Sequence, residues 1–195
     1  MRIFIFLLVA SAAFAQHPDS LPLTRYSEPT FPGTKKYFQH VRLGNQVHDT
    51  TTYTWNAFGK IAETEETSLP IYGYQLNWNR ATAMFYFTLT DSAMRYYSNF
   101  KETEDSDAIS EILLPIAKDS SWQYKLIDSV KMGITGADET VTVPAGTFNH
   151  CIVTAVKEGD ELITKTYAPD VGMIKMSTVG PEFSKLVDLV SVKKP

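Results

Sequence analysis

Cysteine is almost absent from this chain: among 195 residues there is one, Cys151. A lone thiol closes no intrachain disulfide, so packing and hydrogen bonds must hold the fold even in an oxidising compartment. It also leaves no CxxC pair for redox chemistry or a structural zinc site. The motifs by which a sequence announces catalysis are missing too, with no phosphate-cradling glycine loop, no GxSxG elbow and no HExxH pair. Positive charge is not in excess, the net charge being −4. That removes the attraction on which binding to nucleic acid or an anionic membrane surface depends. No Asn-x-Ser/Thr site, internal repeat or helical heptad occurs.

What is present begins with an export signal. Residues 1–15 place Arg2 ahead of an apolar core and end in Ala13-Phe14-Ala15, the small-x-small pattern of a signal-peptidase site. Cleavage after Ala15 leaves Gln16 first, and the product is expected in the periplasm or outside the cell. The apolar run is shorter than the ~18 residues that span a bilayer, which argues against a membrane anchor. No cysteine follows the site to carry a lipid. Residues 16–36 contain Pro18, Pro22, Pro29 and Pro32, a spacing that excludes a helix and predicts an extended lead-in to a single β domain over residues 37–195.

That domain reads as a β meander. Residues 37–43 form a first strand before the Gly44-Asn45 turn, and residues 49–55 alternate Thr with Tyr53 and Trp55. Gly59 reads as a turn, with residues 60–67 returning. Glu63, Glu65 and Glu66 are consistent with a solvated sheet face rather than a metal or catalytic pair. Residues 71–100 are the most aromatic part: Tyr72, Tyr74, Leu76 and Trp78 stand at strict period two, and Phe85, Phe87 and Leu89 repeat it after Asn79-Arg80. One face of this sheet must be dry. The plain reading is core packed against a second layer, and the functional one is a groove in a half-open barrel, lined by Tyr72, Tyr74, Leu76, Trp78, Phe85 and Phe87, that takes up an apolar ligand. Met84, Tyr86, Met94 and Tyr97 suit either.

Residues 101–111 interrupt the pattern with Glu102, Glu104, Asp105, Asp107 and Glu111. A calcium loop needs a glycine for its sharp turn and none is there, so a solvated acidic loop is expected. Residues 112–116 resume the core, Trp122, Tyr124 and Leu126 alternate, and Gly133 and Gly136 punctuate the approach to the closing half. There Val141 and Val143 alternate with Thr140 and Thr142 up to Pro144. A strand follows with Phe148, His150, Ile152, Thr154 and Val156 on one face and Asn149, Cys151, Val153 and Ala155 on the other. Gly159 marks a hairpin turn, Pro169 and Gly172 bracket the next break, and a last strand runs through Leu186, Val190 and Val192.

The run VTVPAGTF, then Cys151-Ile152-Val153, then TYAPDVGMIK resembles the closing half of a family of exported bacterial domains of unknown function, the TapB-like domains. The likeness extends back through Leu113-Leu114-Pro115 and Trp122 and forward to Leu186. The resemblance implies a mainly antiparallel β fold, comparable to the half-barrels of LolA-type periplasmic lipoprotein carriers. It brings no catalytic residues.

Four histidines remain: His17, His40, His48 and His150. His40 and His48 flank the Gly44-Asn45 turn and would need a carboxylate such as Asp49 to make even a minimal metal site. His150 and Cys151 are adjacent on a strand, so alternation sends them to opposite faces and denies them a nucleophile–base pairing. Cys151 reads as a small core residue. The sequence thus predicts an exported all-β domain, a curved antiparallel sheet or partly open barrel of about ten strands with little helix. It predicts no enzymatic activity, cofactor or metal. Two functions remain open: a carrier of an apolar small molecule, or a cell-envelope module that binds protein or glycan with a filled core.

Overall fold

An extended strand directs its backbone N–H and C=O groups sideways, where edge-to-edge pairing satisfies them, and every strand among the described residues pairs antiparallel with its neighbours. The computed structural model describes residues 22–27, 32–64, 68–78, 81–97, 109–114, 116–123 and 130–193. The expected signal peptide, the acidic residues Glu102 to Asp107, the Asn79-Arg80 break, and Tyr124 and Leu126 lie outside them. Among the described residues twelve strands form one sheet: β1 (Gly33–Leu43), β2 (Gln46–Glu63), β3 (Pro70–Trp78), β4 (Ala81–Leu89), β5 (Ala93–Tyr97), β6 (Ile109–Leu113), β7 (Ser121–Gln123), β8 (Lys131–Val143), β9 (Gly146–Glu158), β10 (Glu161–Ala168), β11 (Gly172–Val179) and β12 (Phe183–Lys193). Their order is β6-β5-β4-β3-β2-β1-β12-β11-β10-β9-β8-β7.

The order has a simple cause. Two meanders of six strands are joined where the first and last strands pair, with Tyr37 opposite Leu189 and Gln39 opposite Val187. The free edges are then β6 and β7, consecutive in the chain, and the strand twist curls the sheet until they approach. Trp122 on β7 donates its indole N–H to the Ser110 carbonyl on β6 at 2.7 Å. The all-β class is as the sequence implies, as a sheet nearly closed into a barrel, and the strand number slightly exceeds the ten expected.

Three glycines read as a turn or as punctuation lie inside strands, Gly59 and Gly136 at bulges. Gly59 has φ 79°, and the register between β2 and β3 shifts between Ala57 and Gly59, so one long strand bends there instead of reversing. Gly133 and Gly136 lie inside β8, and the register shifts on either side of Gly136. A turn and a bulge both place glycine between alternating residues, which is why the pattern alone does not separate them.

The lead-in also differs from expectation. β1 starts at Gly33 rather than Tyr37, and Leu23–Arg25 forms a single 3-10 turn after Pro22, whose φ of −65° suits the start of such a turn. Leu23 and Tyr26 are fully buried in the core. Tyr26 donates its hydroxyl to the His150 carbonyl at 3.0 Å, and Arg25 Nε donates to Asp170 Oδ1 at 2.8 Å. The segment is therefore fastened to β9 and to the turn between β10 and β11.

Candidate functional site

The inward face carries a continuous run of aromatic rings across five strands, β1 to β5. Tyr37 on β1 stacks on Tyr53 of β2 at 5.3 Å and 18° between planes. Trp55 on β2 stacks on Tyr74 of β3 at 4.5 Å and 14°, and Tyr74 on Phe85 of β4 at 5.3 Å and 15°. Tyr96 on β5 meets Tyr74 edge-on at 6.2 Å. Cross-strand ring pairs of this kind are favourable beyond their burial, and they fix the wall as a rigid apolar surface. Between this wall and β10 to β12 lies a cavity of about 570 Å³, within the range of small-molecule sites.

The structure divides the six residues predicted to line a groove. Tyr74, Leu76, Trp78 and Phe85 line the cavity. Tyr72 and Phe87 pair in register and stack on each other at 5.2 Å, away from the lining. Phe87 is buried among the core residues, with Tyr72 packed against them. Of the four ambiguous residues, Tyr97 lines the cavity, Met94 is buried in the core, and Met84 points to solvent at 37% exposure.

Opposite the rings stand residues that the sequence did not mark. Glu111, grouped by composition with an acidic solvated loop, is on β6 and buried. Its carboxylate accepts a hydrogen bond from Tyr167 Oη at 2.7 Å and pairs with Lys165 Nζ at 2.8 Å. Lys165 also lies 6.0 Å from the centre of the Tyr96 ring. Because Tyr167 and Lys165 belong to β10, this triad spans the interior and ties the β6 edge to the opposite wall. Gln39 of β1, Thr51 of β2 and Lys185 of β12 add polar groups to the lining, and Met173 and Met176 of β11 complete it. Burial pushes the Lys185 ammonium below the ordinary lysine range.

The architecture has solved counterparts. A crystal structure of a "putative exported protein with YmcC-like fold" from Bacteroides fragilis covers 87% of this chain and 100% of its own, with a TM-score of 0.50 and 12% identity. The chain shares that fold. A second crystal structure, of a "putative lipoprotein" from Parabacteroides distasonis, covers 85% of this chain and 97% of its own, with a TM-score of 0.47 and 13% identity. No protein-family model and no curated protein matches the chain, so the TapB-like and LolA-type likeness rests on the residues quoted for it alone.

Within the YmcC-like barrel the other candidates fall elsewhere. The ladder sets His40 opposite Thr50 and Asp49 opposite Val41, so the turn does not bring His40 and His48 face to face. Among the described residues no group of three metal-ligating side chains forms. Glu63 is exposed and paired with Lys60. His150 departs from the expected alternation: its φ is 57°, and Nδ1 bonds Asp138 Oδ1 at 2.5 Å. One extra residue of β9 lies between Phe148 and Cys151, the partners of Val141 and Glu139, and Cys151 and Ile152 are both buried.

Cys151 has no disulfide partner, and burial pushes its thiol up to about 11. A thiolate fraction far below 1% at neutral pH follows from that value. Ellman titration should therefore find no reacting thiol in the native protein and one after denaturation. Rapid native labelling would place Cys151 at the surface.

Proposed function

We propose that this chain is an exported, non-catalytic binding protein that holds an apolar ligand in the barrel cavity. The observation that carries the reading is the cavity itself: a pre-formed space of about 570 Å³ beside a stacked aromatic wall. A module that binds partners only through its edges would be expected to have a filled interior. Burying such a wall under an acyl chain is favoured by ~25 cal/mol per Å² before the cost of association. Export is supported by the signal pattern of residues 1–15 and by the exported protein that shares the fold.

The side chains near the cavity support a non-catalytic reading. Glu111 is held by two donors, the Cys151 thiol is kept protonated by burial, and the Asp138–His150 pair contributes nothing to the cavity lining. None of these groups is placed as a nucleophile with a base beside it.

Trp78 gives the test, because it lines the cavity and is only half-buried. Trp78→Ala should weaken uptake of a fluorescent fatty acid by about tenfold, the loss expected for one large ring contact, while the circular dichroism spectrum is unchanged. Native mass spectrometry of the wild type purified without detergent should show a co-purified apolar mass. If the wild type carries nothing and takes up no probe, the rings are ordinary core.

A further inference from the structure

We propose that the cavity receives a single acyl chain ending in a carboxylate, and that Lys185 is the residue that pairs with this carboxylate. The inference deepens the function proposed above and rests on it. Three charged side chains line the cavity: Glu111, Lys165 and Lys185. Glu111 and Lys165 cancel each other at 2.8 Å, and Tyr167 satisfies the second carboxylate oxygen. Lys185 makes no hydrogen bond or ion pair with any described residue. Among the described residues, the cavity lining of a chain whose net charge is −4 thus carries one uncompensated positive charge.

A half-buried ammonium without a partner loses hydration and gains nothing in return, which is the cause of its lowered proton affinity. An anion from outside the chain would supply the missing partner. Register adds a second donor to the same place. Lys185 stands opposite Val41 and Gln39 opposite Val187, so on the inward face Lys185 and Gln39 are diagonal neighbours across the β1–β12 pair. Gln39 also lines the cavity, and its amide likewise has no partner among the described residues. Thr51, opposite Gln39 on β2, lines the cavity beside them.

The chemistry of the head group follows from charge. One free cation matches one monoanion, whereas a dianion would bring a second negative charge into a space that already holds Glu111. Glu111 itself repels a carboxylate, so the head belongs at Lys185 and the chain against Trp55, Tyr74 and Phe85. The size of the tail follows from volume. At about 30 Å³ per water-sized group, 570 Å³ is room for one chain of on the order of twenty heavy atoms.

The test compares tetradecanoate with tetradecanol as competitors of a bound fluorescent fatty acid, in the wild type, Lys185→Met and Lys185→Arg. The wild type should prefer the acid by about 10- to 100-fold, the range for one charge-assisted pairing. Lys185→Met should lose that preference and still bind the alcohol, which shows its cavity intact, and Lys185→Arg should restore the preference. Equal binding of both competitors by the wild type, or a preference that survives in Lys185→Met, overturns the carboxylate assignment and leaves the apolar-ligand reading standing. If neither competitor displaces the probe from the wild type, that reading falls and the assignment with it.

Discussion

Glu111→Ala should destabilise the protein by about 2–4 kcal/mol, read as a lowered urea midpoint with unchanged slope. Removing the carboxylate leaves two donors without their acceptor. Tyr167 is fully buried, and a buried hydroxyl that loses its partner costs about 1–3 kcal/mol. Lys165 keeps 26% of its side-chain surface in solvent, so it can swing outward, and its share is well below that of a fully buried ion. Replacing both charges with apolar groups of similar size, Glu111→Leu with Lys165→Met, should recover most of the loss, since no stranded charge remains. The Tyr167 bond to Glu111 would still be lost. A single variant that unfolds within 0.5 kcal/mol of the wild type would mean that the triad does not tie β6 to β10.

That contrast between Glu111 and its neighbours shows where the sequence could be read. Strands with one dry face declare themselves by period two, and so β3, β4, β10 and the hairpin at Gly159 stand close to where alternation puts them. The aromatic wall was legible for the same reason, since Tyr74, Leu76 and Trp78 stand at period two on β3 and Phe85 pairs with Tyr74 from β4. A cavity is a relation between walls that are distant in the chain. Nothing local in Lys165 or Lys185 distinguishes an inward lysine from a solvated one. Glu111 did carry a signal, because it sits between Ser110 and Ile112 in the run that becomes β6, but five acidic residues over 102–111 mask it by composition. Gly59 and His150 were misplaced for another reason. A bulge adds one residue to a strand and inverts every face beyond it, so alternation counted straight through a bulge assigns the wrong side.

Tyr37→Ala should cost about 3–5 kcal/mol, the range for deleting a large buried ring, against a total of about 5–15 kcal/mol for a typical domain. Tyr37 is fully buried. It sits where the two meanders join, opposite Tyr53 on one side and Leu189 on the other. Its ring contacts both Tyr53 and Trp55 at 5.3 Å, and its hydroxyl donates to the Met173 carbonyl on β11 at 2.7 Å. One side chain therefore anchors the start of the aromatic wall and reaches across β12 to the other meander. Tyr37→Phe separates these roles, because it keeps the ring and removes only the hydroxyl. It should cost about 1–2 kcal/mol, the price of a buried carbonyl left without that donor. Thermal melts of the two variants decide the matter. If Phe proves as damaging as Ala, the hydroxyl link to β11 dominates, and if both melt with the wild type, the joint between β1 and β12 is held by its backbone ladder without help from the wall.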